Sequence, residues 1–211
     1  MKTKSKALLL TLCAVLLVTA SVLGTMAFLT SNDQVVNTFS VGSVAITLDE
    51  AKVDTAGKAV EGAARVKENS YKLMPGHDYT KDPVIHVDST SEDCYLFVKI
   101  DNQIAAIEKA DSTVASQMAT KGWVAVAGQA GVYVYVGTTA GATDPVAVAA
   151  GADVPVFDKI VIDGAVNNTT LAGYAGKTIT VTAYAVQKDG FEGKTAAEIW
   201  TAAGFTTTTG A

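Results

Sequence analysis

The stretch "CYLFVKI", residues 94–100, carries the pattern that decides the fold of this chain. Apolar side chains recur at every second position and fall on one side of an extended chain, namely Cys94, Leu96, Val98 and Ile100. A period of two predicts a β-strand, whereas a helix would need a period near 3.6. This reading makes Cys94 a small buried residue of the strand, with a cross-link between subunits as the alternative.

The same alternation recurs in residues 44–48, 132–136 and 178–185, and residues 154–162 ("VPVFDKIVI") are rich in β-branched side chains. Gly, Pro, Asn and Asp bound these runs, as is typical of strands. One apolar face and one Thr/Tyr face favour antiparallel sheets with a solvated side. We therefore predict a mainly β fold, a jelly-roll-like antiparallel sandwich over residues 41–205.

Two segments depart from the β pattern. Residues 102–123 place Ile104, Ile107, Val114 and Met118 near helical spacing, and Gly122 follows as a stop. Residues 194–204 place apolar side chains on one helical face and also end in Gly. We predict two short surface helices here, a long loop over 51–69, a turn with a weak strand over 137–152, and a disordered tail over 206–211.

The N-terminus has the organisation of a signal peptide, predicted over residues 1–27. Three lysines in the first six residues precede an uncharged, mostly apolar run from Ala7 to Leu29. Thr25 and Ala27 are small residues at the third and first positions before a cut, which would make Phe28 the new N-terminus. The run is also long enough to cross a bilayer, since about 20 apolar residues suffice, so a retained anchor is the alternative.

The net charge of the chain limits the classes of partner that it is expected to bind. Removing residues 1–27 lowers the Lys and Arg count from 16 to 13 against 21 acidic residues, so the net charge moves from −5 to −8. Nucleic-acid binding requires clustered Lys and Arg, so we expect no nucleic-acid partner. The membrane is expected to be contacted only through the signal segment.

The sequence has little catalytic or metal-binding chemistry. Its two histidines, His77 and His86, are nine residues apart, which fits no standard zinc motif, and a shared site with Asp78 or Asp82 is only the minor alternative. Residues 89–93 ("STSED") read as a solvated turn rather than a calcium loop. We predict no catalytic residue, no metal and no cofactor, and therefore no enzyme.

Three stretches, residues 27–50, residues 73–87 and two runs within residues 178–200, together resemble the TasA/camelysin family of exported Gram-positive proteins. "AFLTSNDQVVNTFSVGSVAITLDE", residues 27–50, is similar to the family's start, with an aromatic after a small residue, a polar stretch, Asn-Thr-Phe, and then Gly before a strand. "LMPGHDYTKDPVIHV", residues 73–87, resembles its Leu-x-Pro-Gly turn and following strand. "TITVTAYAVQKDGF" with "AAEIW", within residues 178–200, resembles its closing strand and helix.

The resemblance implies export through a dedicated signal peptidase, a jelly-roll fold, and assembly into fibres of a biofilm matrix on the cell surface or outside a Gram-positive bacterium. It also implies that a segment near the mature N-terminus completes the sheet of the next subunit, and that related matrix proteins are partners. Camelysin-like members have been classed as metallopeptidases, but this chain lacks a recognisable metal motif.

Residues 28–40 are the candidate donor strand. An exposed sheet edge accepts an added strand through main-chain hydrogen bonds, and head-to-tail contacts that do not close give filaments. The apolar contacts of this assembly segment are expected from Phe28, Leu29, Val35 and Phe39. We predict a secreted fibre subunit. The alternatives are a monomeric, membrane-anchored surface module with an aromatic patch at Trp123, Tyr133 and Tyr135, or a metallopeptidase.

Overall fold

The computed structural model describes residues 3–27 and 42–205, with side chains for residues 3–20 and 42–205. The chain divides into two compact units, Met1–Val41 and Gly42–Ala211. The predicted assembly segment, with Phe28, Leu29, Val35 and Phe39, and the predicted tail lie outside the described residues.

The first unit contains helix α1 (Thr3–Ala27). Its apolar side chains are exposed (Leu8 by 75%), and the helix is long and apolar enough to cross a membrane. Thr25 and Ala27 belong to its last turn. The helix is compatible with a signal peptide and with an anchor, and it weakly favours export or membrane association.

Residues 42–205 contain ten strands, three α-helices and one 3-10 helix. In chain order they are β1 (Ile46–Asp49), β2 (Asp78–Thr80), β3 (Val84–Val87), β4 (Cys94–Asn102), the 3-10 helix (Ala105–Ile107), α2 (Val114–Thr120), β5 (Trp123–Ala125), β6 (Val132–Tyr135), β7 (Ala147–Val148), β8 (Asp153–Pro155), β9 (Lys159–Val161), α3 (Asn168–Ala172), β10 (Ile179–Gln187) and α4 (Ala196–Ala202).

These strands form three antiparallel sheets. One has the order β1-β3-β8, one has the order β10-β4-β6-β5 with β7 added beside β4, and the third is the pair β2-β9. The prediction of a mainly antiparallel β fold is therefore confirmed.

The pairing of β4 with β10 is the longest ladder in the domain, nine residues from Cys94↔Gln187 to Asn102↔Ile179. Successive side chains of β4 point to opposite faces of the sheet. On one face Cys94, Leu96 and Val98 enter one core cluster, and on the other face Tyr95 and Phe97 enter a second. The central strand is thus buried on both sides.

The first core lies between the three-stranded sheet and one face of the larger sheet. It contains buried side chains from both sheets and from α2, including Ile85, Val87, Met118, Trp123, Val154, Val156 and Phe157. Trp123 is 1% exposed, and its Nε1–H donates to the carbonyl of Pro155 at 2.9 Å. Its polar atom is therefore satisfied within the core.

The second core is the other face of the larger sheet, which α4 covers. Trp200 of α4 is 2% exposed, and its ring lies 5.6 Å from that of Phe97 and 5.0 Å from that of Tyr184. Thr195 and Glu198 form a capping box that starts the helix. The prediction of a solvated Thr/Tyr face is wrong for this half of the sheet, because Tyr184 packs under the helix.

A third cluster lies against the β2-β9 pair and contains Tyr79, Ile104, Ile107, Ile160 and Ile162.

The predicted helix over 102–123 is shorter than expected. The strand β4 runs to Asn102, whose side chain then accepts from the backbone N–H of Ile104 at 3.1 Å and donates to Glu108 at 2.9 Å. These bonds turn the chain, so that α2 begins only after its N-cap Thr113. Gly122 is the predicted stop, with φ of 86°, and an added Cβ there would lie 2.3 Å from the carbonyl oxygen of Gly137.

The run 154–162 is not one strand, as its composition suggested. It is divided between β8 and β9, which belong to different sheets. The β8 ladder ends at Pro155, which has no N–H to donate, and Val156 then donates to the carbonyl of Pro83 at 2.9 Å. The structure also contains α3, which the sequence pattern did not predict, whereas α4 lies within the predicted residues 194–204.

Replacement of Trp200, the buried aromatic residue of α4, should destabilise the domain strongly. We expect Trp200→Ala to lower the free energy of unfolding by about 3–5 kcal/mol, because it leaves a cavity over Phe97 and Tyr184. The control is Thr201→Ala on the exposed face of the same helix, which should change the value by less than about 0.5 kcal/mol. Urea titration measures both, and equal effects of the two changes would contradict the role of α4.

Candidate functional site

Within residues 42–205, β1 and β8 are the outer strands of one sheet and β10 and β5 are the outer strands of the larger one, and the open sides of β1 and β10 are considered together because one groove runs along both. Strand β1 pairs only with β3, and β10 pairs only with β4. Along its other side each strand presents backbone N–H and C=O groups to no neighbouring strand. Such edges are templates for an added strand.

An open groove of about 1060 Å³ extends along both edges, with β1 on one wall and β10 on the other. Half-buried apolar side chains from alternate positions of the two strands line it, namely Ile46, Leu48, Ile179, Val181 and Ala183. These side chains also pack against the first core. The groove is therefore a place where that core reaches the surface between two unpaired edges.

One end of the groove is closed by the chain around residues 66–71. Here Glu50 and Val66 exchange two backbone hydrogen bonds, 2.8 Å and 2.7 Å long, in an isolated antiparallel bridge. The chain thus already pairs once with this side of β1 just past its end, while the edge from Ile46 to Asp49 stays open.

The chain enters β1 from beyond the opposite end of the groove. Asp88 donates its backbone N–H to the carbonyl of Ala45 at 2.9 Å, and Glu92 donates to the carbonyl of Ser43 at 2.9 Å. Residues 43–45 therefore continue the line of β1 past Ile46 and lie along residues 88–92.

A polar cluster holds the outward face of the three-stranded sheet. His86 of β3 contacts Asp153 of β8 through Nδ1 (2.6 Å) and Asp49 of β1 through Nε2 (3.1 Å). Both contacts are hydrogen bonds at once only when the imidazole is protonated, since a neutral ring has one N–H. The protonated ring therefore ties all three strands together.

Arg65 extends this cluster to the long loop. Its Nε donates to the carboxylate of Asp49, and its Nη atoms reach the carboxylate of Asp82 at 3.1 Å and the carbonyl oxygens of Asp49 at 3.2 Å and Asp82 at 2.8 Å. Five donors in a planar fork allow one guanidinium to hold several acceptors. Arg65 thus fastens the loop to the end of β1.

The pKa shifts follow these contacts. Burial works to lower the pKa of His86, but the hydrogen bonds to Asp49 and Asp153 outweigh it and raise that pKa. Burial works to raise the pKa of Asp49, but hydrogen bonds from Arg65 and His86 bring it below its ordinary value. Each shift favours the charged form, so the cluster is held by ionised groups.

The structure does not bring the two histidines together. The ring of His77 lies against Tyr79, with centroids 5.2 Å apart, whereas His86 lies on the three-stranded sheet. Asp78 pairs with Lys58 at 3.1 Å and Asp82 pairs with Arg65. Within residues 3–27 and 42–205 no group of three His, Cys, Asp or Glu side chains is arranged to hold a metal ion.

The remaining predicted features have packing roles. Cys94 is fully buried in β4, and burial, with a smaller effect of Asp93, raises the pKa of its thiol to about 11. Tyr133 and Tyr135 are half-buried against the first core, and Trp123 lies inside it. These three aromatics do not form an open binding surface.

Comparison of the chain with family models, with curated proteins and with solved structures found no match. The groove and the sequence pattern are therefore the features of the chain that bear on its function.

The groove itself was not predicted from sequence. The apolar positions of β1 and β10 are visible as alternation, but alternation does not reveal which strands end up at an edge. The sequence singles out the preceding segment 28–40, but it does not show which strands of the fold have an open side.

The His86 cluster should make stability depend on pH. The folded pKa of His86 is raised, so its contribution is fully present below the ordinary histidine value of about 6.5 and is lost as pH rises through the folded pKa. The groups facing it are Asp49 and Asp153, with Arg65 beside Asp49.

We expect the difference in free energy of unfolding between the wild type and His86→Gln to be about 0.5–1 kcal/mol larger at pH 5.5 than at pH 9. The control is Thr201→Ala on the exposed face of α4, which removes no titratable group, so its difference should not change over this range. Urea unfolding at a series of pH values measures it. If the difference in free energy of unfolding between the wild type and His86→Gln does not change with pH, the ring does not bridge two carboxylates in solution.

Proposed function

We propose that this chain is a secreted structural subunit of extracellular matrix fibres, in which residues 28–40 of one copy lie in the groove of the next. The observation that carries the proposal is the groove between the unpaired edges of β1 and β10.

The groove suits an extended chain rather than a compact ligand. Its walls offer unpaired main-chain groups, and its apolar side chains alternate along both strands. An added strand has the same alternation, so every second side chain of it could pack against these walls. Residues 28–40 extend over about 43 Å at ~3.3 Å per residue, which exceeds the length of the nine-residue β10. The segment is therefore long enough to fill the groove.

The segment has a pattern that fits such a site. Val35 and Phe39 are four residues apart and share one face of an extended strand, on which they would enter the groove. Phe28 and Leu29 add apolar contacts at the other end. Asp33 is the segment's one charged side chain, and the α-amino group of Phe28 would add one positive charge at its end, so little charge has to be desolvated on binding.

The direction of the chain favours a second copy as the acceptor. Residues 43–45 leave β1 past its Ile46 end, so a segment entering its own groove would have to reverse direction within a few residues. A neighbouring subunit can receive the segment without reversal. Such a contact joins different surfaces of two copies and does not close, so it propagates as a filament.

The resemblance to the TasA/camelysin family supports the rest of the proposal. It adds the jelly-roll arrangement, cleavage by a dedicated signal peptidase, a Gram-positive cell surface or matrix as the location, and related matrix proteins as further partners. The exposed apolar helix α1 is in keeping with export. In this proposal the protein is not an enzyme and needs no cofactor.

A charge placed in the groove should block assembly. We expect Val181→Asp to keep the chain starting at Phe28 monomeric, because the carboxylate would lie among apolar walls that the donated strand must cover. Gln187→Asp is the matched control, since it adds the same charge to an exposed residue of the same strand that does not line the groove. Sedimentation and electron microscopy measure assembly, and circular dichroism checks that both variants fold.

A chain lacking 28–39 provides the second arm of this experiment. It should form no fibres, and it should bind a synthetic peptide of residues 28–40 at one peptide per chain, whereas a scrambled peptide should not bind. Fibres from the shortened chain, or equal assembly by Val181→Asp and the wild type, would refute strand donation.

The exported protein should begin at Phe28. We expect N-terminal sequencing of the secreted form to read Phe-Leu-Thr-Ser, and Ala27→Leu to block the cut, because signal peptidases require a small residue before the cleaved bond. The control is Val22→Leu, which leaves both small positions unchanged. An exported wild type that retains residues 7–27 would instead support the anchored surface module.

A further inference from the structure

Three polar side chains meet at the closed end of the groove, two of them shielded from water and the third, Asn69, half-buried. Lys81 Nζ lies 2.7 Å from Oε2 of Glu50, and these side chains are only 11% and 6% exposed. The other oxygen of the same carboxylate, Oε1, accepts from Nδ2 of Asn69 at 2.9 Å. One buried carboxylate thus contacts both an amine and an amide.

The amide of Asn69 has a defined orientation. Its Nδ2 also donates to the carbonyl of Ala51 at 2.8 Å, and its Oδ1 accepts from the backbone N–H of Val53 at 3.0 Å. Two acceptors face Nδ2 and one donor faces Oδ1, so the hydrogen bonds distinguish the nitrogen from the oxygen of this amide. The carbonyl is polarised by a backbone N–H, and the nitrogen faces Glu50.

We propose that Lys81 and Asn69 become joined by an intramolecular isopeptide bond, with Glu50 as the group that moves the protons. The Nζ lone pair attacks Cγ of Asn69, and the π electrons of the carbonyl move to Oδ1. When the carbonyl re-forms, the bond from Cγ to Nδ2 breaks. The products are a secondary amide between Nζ and Cγ and one ammonia, so no oxidant, reductant or cofactor is required.

The protons also balance through the observed contacts. Glu50 takes a proton from Nζ through Oε2, which leaves a neutral amine able to attack. It delivers a proton to Nδ2 through Oε1, so that the nitrogen departs as ammonia, and then takes the second proton of Nζ. At neutral pH the departing ammonia carries that proton away as ammonium, and the carboxylate is restored.

The surroundings favour the reaction. The Lys81 and Glu50 side chains are shielded from water, so little water competes with Nζ for the carbonyl carbon of Asn69. The charge that develops on Oδ1 meets the N–H of Val53, which supplies stabilisation where it is needed. All three groups belong to one folded chain, so the reactants are held together at a high effective concentration.

The bond would tie the segment that closes the groove to the turn between β2 and β3, beside the end of β1. It involves residues of a single chain, so it forms whether or not the chain assembles into fibres. Its detection and the fibre experiments therefore succeed or fail independently.

Peptide mapping of the exported protein tests the proposal. Trypsin cuts after Lys67, Lys72 and Lys99 but not after an acylated Lys81, so peptide 68–72 should appear attached to peptide 73–99. The branched species should weigh about 17 Da less than the sum of the two peptides, the mass of one ammonia. Fragment ions should place the branch at Asn69 and Lys81.

Two variants separate the chemistry from simple packing. Lys81→Arg keeps the positive charge beside Glu50 but provides no nucleophilic amine, and Glu50→Gln keeps the shape but cannot accept a proton. Both should lose the branched peptide completely while thermal melting shows a folded domain. The matched control Lys58→Arg, at an exposed ion pair with Asp78, should retain it.

A wild-type digest with free peptide 68–72, cleavage after Lys81 and no branched species would overturn the proposal. A branched peptide that persists in Glu50→Gln would overturn the role given to Glu50.

Discussion

The structure depends on the burial of β4 on both of its faces. Its nine residues pair with β10, and alternate side chains enter two separate cores, Leu96 on one side and Phe97 on the other. Each core needs a cover, which is the three-stranded sheet on one side and α4 on the other. Burial of a large aromatic such as Trp200 contributes several kcal/mol, so both covers add substantially to stability.

This arrangement leaves β10 at an edge. The strand contributes Val181 and its apolar neighbours to the first core, but its outer main-chain groups meet no strand within residues 42–205. The edge of β1 is open in the same region, so the first core is incompletely covered between the two sheets. An added strand would bury the apolar walls and pair with open edges, which would give the proposed self-association a physical driving force.

Besides its ladder with β3, strand β1 is held by polar contacts at its ends and outward face. His86 and Arg65 fasten Asp49 from the solvent side, while Lys81 and Asn69 hold Glu50 within the closed end of the groove. A wall positioned by such contacts keeps its shape even though one of its edges is unpaired. A covalent bond between Lys81 and Asn69 would make this end permanent, which would suit the proposed extracellular fibre subunit.

The sequence by itself determined the β class, the strands around 94–100 and 179–185, the stop at Gly122, the short helix within 194–204 and the apolar N-terminal helix, because each is a local periodicity or a local backbone preference. Only the tertiary structure decided that Asn102 ends the strand with a turn, that Pro155 divides the run 154–162 between two sheets, and that β1 and β10 lie at open edges. Those outcomes depend on which distant strands pair and which faces find a cover, and a period of two is the same for an edge strand and a central one.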